Sequence, residues 1–176
     1  MSASQRQCFL VALGSALLSA VSLGGCGFHL EGTGTLPAAA TVTYLDAANP
    51  HTEFYGRLRE GLRARGARVV ESRQEADAVL RILEDSSGQR MLSVSARNIP
   101  REYEVYYSVT FSLEADGESL LPAESIVATR SYTYDETLVL GKSAEEAELR
   151  RALAQDLVRQ VLRRIEADRG RVVAVQ

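Results

Sequence analysis

The sequence predicts an α+β fold, a two-layer sandwich in which a mostly antiparallel sheet of about four strands packs against two amphipathic helices. Three observations carry this. Tyr103, Val105, Tyr107, Val109, Phe111 and Leu113 alternate with polar residues, the period of a long strand with one buried face. Phe54, Leu58 and Leu62 recur every four residues, as do Leu149, Leu153, Leu157, Val161 and Ile165, so each set forms one stripe of a helix. Asp116-Gly117 is a strong hairpin signal directly after the long strand.

The elements follow in order β-α-β-β-β-α. Thr41 to Asp46 alternates and is rich in β-formers, giving a first strand. Asn49-Pro50 opens the first helix, with Asn49 as cap and Pro50 at the first helical position, and Gly66 stops it. A short apolar segment, Ala67 to Val70, comes next. Ala78 to Leu83 is a short strand, Ser86 to Gly88 a turn or bulge, and Met91 to Ala96 resumes extended character. Arg97 to Arg101 reads as a loop before the long strand. Ile126 to Tyr134 pairs with that strand by hairpin logic. Leu138 to Lys142 is a loop. Ser143 and Glu146 then form a capping box for the last helix, which Gly170 ends.

Composition narrows the function classes. The 176 residues are 45% hydrophobic and 24% charged, ordinary for a folded soluble domain, and the net charge of -3 does not suit a nucleic-acid binder. Two cysteines and two histidines offer little for a metal centre or a disulfide framework. His29 and His51 are separated by flexible sequence and read as solvent-exposed. No phosphate-binding glycine loop, zinc-protease helix motif or nucleophile elbow is present. Glu102 and Glu104 share one strand face, roughly 7 Å apart by strand geometry, within reach of glycosidase chemistry. A solvated strand face explains them better, and no catalytic or metal-binding residue is assigned. The chain is read as a non-enzyme without a cofactor.

The amino-terminal segment sets the compartment. Arg6 is the only charge before Glu31, and Cys8 to Leu23 is apolar or small throughout, the length of a signal h-region. It ends in Leu23-Gly24-Gly25-Cys26, which resembles the lipobox of bacterial lipoproteins. In such signals the thiol takes a diacylglycerol, the chain is cut before the cysteine, and the new amine is acylated. Residues 1–25 are thus expected to be a signal peptide, and residues 26–40 the lipidated Cys26 and a tether. Residues 41–169 would be the α+β domain and residues 170–176 a short tail. Three acyl chains give stable anchoring at about 0.8 kcal/mol per methylene. Gly27, where Asp would favour inner-membrane retention, implies the outer membrane by resemblance.

Lys142 is the one lysine among 20 basic side chains, next to a glycine and before the last helix. Arg97 and Arg101 flank Ile99-Pro100 in the other loop. Cations of this kind suit contact with phosphates on a lipid headgroup. Cys26-Gly27-Phe28-His29-Leu30, Leu36-Pro37, Arg101-Glu102-Tyr103-Glu104-Val105, and Tyr134-Asp135-Glu136 through Gly141-Lys142 then occur in that order before an amphipathic helix. This ordered set resembles the LptE family of LPS-assembly lipoproteins.

The resemblance implies a four-stranded sheet on two helices, anchorage in the inner leaflet of the outer membrane, and a 1:1 complex with the LptD β-barrel. There the chain would plug the barrel, assist its folding and bind lipopolysaccharide on its way to the outer leaflet. Family positions implicated in lipopolysaccharide contact match Lys142 and, in the loop before the long strand, Arg97, with Arg101 or Arg90 as the alternatives to Arg97. The other readings are an outer-membrane lipoprotein that activates a cell-wall enzyme and an anchored hydrolase using Glu102 and Glu104.

Overall fold

A computed structural model describes residues 36–135, 137 and 139–172. Five strands and two helices follow in the order β1 (Val42–Ala47), α1 (Glu53–Ala64), β2 (Arg68–Val70), β3 (Ala78–Val94), β4 (Pro100–Ala115), β5 (Glu118–Thr133) and α2 (Val139–Val172), with single 3-10 turns at Ala38–Ala40 and Arg73–Glu75. The sheet order is β2-β1-β3-β4-β5. β1 runs parallel to both β2 and β3, whereas β3, β4 and β5 form an antiparallel ribbon.

The α+β class stands, with one strand more than expected. The extra strand is β2, which the sequence offers only as a short apolar segment. It becomes a strand because Val42, Thr43 and Tyr44 of β1 supply its partners.

β4 keeps its alternation. Val105, Tyr107, Val109, Phe111 and Leu113 are buried, and the intervening Tyr106, Ser108, Thr110 and Ser112 are half-buried. The hairpin to β5 has both central residues at positive φ, Asp116 at 52° and Gly117 at 81°, the signature of a type I′ turn. Leu153, Leu157, Val161 and Ile165 of α2 lock onto this face beside Phe54, Leu58 and Leu62 of α1, and one core results. Gly61 is where the helices approach: a Cβ there would stand 2.7 Å from Leu162 Cδ1.

Several boundaries differ from expectation. Asn49 does not cap α1. Its Oδ1 accepts from the backbone N of His51 at 3.0 Å, a local turn, and Thr52 Oγ1 caps instead, accepting from Tyr55 N at 3.1 Å. Gly66, at φ 85°, does end the helix, with Ala67 N donating to Leu62 O and Gly66 N to Arg63 O, both at 3.0 Å.

β3 is one continuous strand and not two. Gly88, read as part of a turn, pairs with Tyr106, whose ring lies over it; a Cβ on Gly88 would meet the Tyr106 hydroxyl at 2.5 Å. The only irregularity in its first half is a bulge between Ile82 and Glu84. β5 starts at Glu118, earlier than expected, because Pro122 falls where the register with β4 shifts, on an edge strand that tolerates a missing donor.

The last helix starts before Ser143 and passes Gly170, so the capping-box reading does not hold. Leu36 and Ala40, placed in the tether by the sequence, are buried in the core.

One polar network threads the core edge. Asp85 accepts from Thr52 Oγ1 at 2.5 Å and from the Tyr107 hydroxyl at 2.8 Å, tying the α1 cap to β3 and β4. Burial, with the Asp85 bond and charge second, pushes the Tyr107 pKa well above its ordinary 10.0.

Candidate functional site: a cationic groove at the open end of the ribbon

The ribbon has two ends. One holds the Asp116-Gly117 hairpin; the other gathers the end of β3, the start of β4, the end of β5 and the start of α2. The 16 residues of β4 separate them by roughly 50 Å.

At the second end, residues 95–99 form a tight loop. Ser95 N donates to Ile99 O at 2.7 Å, Asn98 N donates to Ser95 O at 2.9 Å, and Ile99 N donates to Ser95 Oγ at 3.1 Å. Asn98 takes the left-handed conformation at φ 61°, which asparagine tolerates. This loop presents Arg97, and the first residues of β4 present Arg101; both side chains are exposed. Tyr134 N donates to Arg101 O at 2.8 Å, which carries the β4–β5 pairing one step further and brings Asp135 to the same groove. Arg97, Arg101, Tyr134 and Asp135 line that groove, whose volume is about 250 Å³.

Asp135 is fixed by a turn: its Oδ1 accepts from Thr137 N at 2.9 Å and Thr137 Oγ1 at 2.7 Å. Those two bonds, followed by the positive charges of Lys142 and Arg101, hold its pKa below the usual carboxylate value. Lys142 is not in a loop. It stands in the first turns of α2, one-fifth exposed, donating to Glu145 Oε2 at 2.8 Å, with its Nζ 6.0 Å from the centre of the Tyr132 ring.

Tyr132 stacks on Tyr103 at 5.8 Å, Tyr134 meets Tyr103 edge-on at 5.4 Å, and the Tyr132 hydroxyl donates to Gln89 Oε1 at 3.0 Å. Burial first, and the carboxylate of Glu146 second, raises the Tyr132 pKa. The structure therefore brings Arg97, Arg101 and Lys142 to one end of the molecule, as their sequence positions did not reveal.

Most arginines elsewhere are committed. Arg81 pairs with Glu114 at 2.8 Å and with Asp46 at 3.5 Å, Arg130 with Asp156 at 3.0 Å, and Arg164 with Glu124 at 2.9 Å. Among the described residues, Arg97 and Arg101 make no salt bridge.

The glutamate pair is engaged across the sheet. Arg90, directly opposite Glu104, places Nη2 at 2.6 Å from its Oε1, and Ser93 Oγ donates to Glu102 Oε2 at 2.8 Å. These are cross-strand partners, not an acid and a base facing a cleft. His51 is exposed. Among the described residues no cluster of His, Cys, Asp and Glu could hold a metal ion, and no helix is long and apolar enough to cross a membrane. Cys26, His29 and the signal segment lie outside the described residues.

Sequence reasoning did not assign Tyr103, Tyr132 and Tyr134 as one cluster, nor Asp135 and Glu145 as neighbours of the cations. The even spacing of Tyr132 and Tyr134, against Tyr103 in the partner strand, was the available signal.

A sheet of this order under two helices is the architecture of a class of bacterial lipoproteins. The solution structure of an uncharacterized lipoprotein B from Nitrosomonas europaea matches with a TM-score of 0.68 at 28% identity, over 80% of this chain and 91% of that one. A minor lipoprotein from Acinetobacter baumannii matches with a TM-score of 0.61 at 26% identity, over 74% of this chain and 93% of that one.

Within that class the chain belongs to the LptE family: the family model described as LptE, lipopolysaccharide-assembly, matches residues 39–165. The LPS-assembly lipoprotein LptE of Pectobacterium atrosepticum is 30% identical over 159 residues, 88% of this chain and 84% of the relative. That of Yersinia pestis is 27% identical over 150 residues, 82% of this chain and 72% of the relative. The family is one of assembly lipoproteins and not of enzymes, as the sequence reading held.

Proposed function

We propose that this chain is the lipid-anchored, outer-membrane partner of the LptD β-barrel, that it sits on the periplasmic side as a plug in the barrel, and that it binds lipopolysaccharide through Arg97, Arg101 and Lys142. The observation that carries the binding part is that two guanidiniums without a salt bridge among the described residues line one groove, with the single lysine beside it. A guanidinium presents paired N–H donors that match two oxygens of one phosphate. Each such charge-assisted bond contributes about 1.5–3 kcal/mol where water is excluded and less at an exposed site.

The plug part rests on surface chemistry. The lumen of a large outer-membrane barrel is polar. The sheet face away from the helices presents Ser108, Thr110 and Ser112, and Thr110 Oγ1 and Ser125 Oγ lie 2.8 Å apart in a hydroxyl pair. Such a face fits an aqueous lumen better than it fits lipid. Anchorage would come from diacylglycerol and an N-acyl chain on Cys26.

Purification in mild detergent tests the reading. A stoichiometric large outer-membrane barrel should accompany the chain, and mass spectrometry should find an acylated Cys26 at its amino end. A chain that purifies alone, or with an unmodified terminus, overturns it.

A further inference from the structure

We infer that Glu145, paired with Lys142, and Asp135, in the groove beside Arg97 and Arg101, are internal counter-ions that lower the affinity of the groove for phosphate: Glu145 must give up the Lys142 ammonium, and Asp135 opposes the incoming anion by its charge. The inference rests on the phosphate-binding reading above and adds how that site is held when empty of ligand.

The geometry is specific. Lys142 Nζ already donates to a carboxylate, Glu145 Oε2, at 2.8 Å, and the face of Tyr132 limits where the ammonium can go. Asp135 shares the groove with Arg97 and Arg101. Both of its turn bonds fall on Oδ1, and among the described residues no hydrogen bond reaches Oδ2. The charges of Lys142 and Arg101 both act on this carboxylate. Asp135 bonds none of the three cations among the described residues and acts through its charge in the groove, which opposes an incoming anion, while Glu145 competes with that anion for the Lys142 ammonium. Affinity for phosphate is then set below what the three cations alone would give, which suits a protein that must release its cargo as well as bind it.

Charge removal without loss of shape separates this role from a structural one. Asp135→Asn keeps an Oδ1 that can accept both Thr137 bonds, and Glu145→Gln keeps an acceptor for Lys142. Binding would be measured on the full lipidated chain in detergent, with bis-phosphorylated lipid A in mixed micelles, dephosphorylated lipid A, and inorganic pyrophosphate as probes.

Each variant should bind bis-phosphorylated lipid A roughly twofold to fivefold more tightly, the range that exposed charge pairs support, with dephosphorylated lipid A unaffected. Tightening toward lipid A alone assigns the site to the lipid headgroup, and tightening toward pyrophosphate as well assigns it to phosphate at large. Both results support the counter-ion role. Unchanged or weaker binding in both variants overturns it, provided Arg97→Gln/Arg101→Gln/Lys142→Gln still loses affinity. If that triple variant binds like the unaltered chain, the phosphate-binding reading itself is wrong.

Discussion

The two ends of the long ribbon treat their charges in opposite ways. At the hairpin end, charges join elements of the fold to one another. Arg81 bridges Asp46 of β1 and Glu114 of β4, Arg73 reaches Glu114 at 3.7 Å, and Arg65 pairs with Glu166 to connect the helices. At the open end, Arg97 and Arg101 form no salt bridge among the described residues, and the salt bridge of Lys142 stays within its own helix. Cations that hold a fold together are not free to bind a ligand. In a chain with 20 basic residues a missing salt bridge alone does not mark a site, since Arg63 and Arg68 also form none among the described residues; what sets the open end apart is that Arg97 and Arg101 line one groove.

The comparison can be broken most severely through the core that both ends share. Leu157 is fully buried between α2 and the sheet. Leu157→Asp places a charge there without a partner and should abolish cooperative folding, removing the near-ultraviolet signal and the thermal transition together. A soluble variant with a sharp melt would disprove the packing.

Gly61→Ala is the next test, and it probes the helix crossing alone. The added methyl would lie 2.7 Å from Leu162 Cδ1 and 3.3 Å from Val158 Cγ1, and both neighbours are buried. Overpacking costs about 1–3 kcal/mol and the gain in helix propensity returns about 1 kcal/mol, so a modest net loss is expected in a urea titration. A net gain would show that the helices can move apart freely.

Tyr107→Phe acts on the polar network. At neutral pH it should cost about 1 kcal/mol, since Asp85 keeps its bond from Thr52. Its larger signature is in alkali. Below pH 10.0 the tyrosine is protonated in both folded and unfolded chains and its contribution is complete. Above that, the unfolded tyrosine ionises while Tyr107 keeps its proton, so stability falls as pH rises toward the raised folded value. Urea midpoints above pH 10.0 should fall less steeply for Tyr107→Phe than for the unaltered chain. Equal slopes would contradict the burial of this hydroxyl. The slope should not vanish, because Tyr55 and Tyr132 are shifted in the same direction.

The smallest expected effect on stability is at the open end. Arg97→Glu and Arg101→Glu break no salt bridge among the described residues and should change stability by less than about 0.5 kcal/mol each. A larger change would mean that the groove helps to hold the ribbon together.

What the sequence disclosed follows the same division between local and distant causes. β4, the helix stripes and the hairpin are local periodicities and a two-residue turn signal, and each is present in the structure. β2 was not legible as a strand because three residues carry no period; only pairing with β1 defines it. Gly88 was misread because the Tyr106 ring that covers it lies 18 positions away and arrives through strand pairing. The start of α2 was placed late because Ser143 and Glu146 mimic a cap from inside the helix. Of the groove, the three cations could be named from their residue types and the family resemblance. Their convergence, and the positions of Asp135 and the stacked tyrosines around them, depend on the β4–β5 register, which no single stretch of sequence encodes.

The most direct test of the division between the two ends is lipopolysaccharide affinity after matched charge reversals. Arg97→Glu/Arg101→Glu at the open end would be set beside Arg63→Glu/Arg68→Glu, two exposed arginines on α1 and β2 that form no salt bridge among the described residues. Both variants change the net charge equally. The open-end variant should lose at least about tenfold in affinity with an unchanged far-ultraviolet spectrum, and the other should bind as the unaltered chain does. Equal losses from the two variants would show that bulk charge governs binding and that the groove has no special part in it.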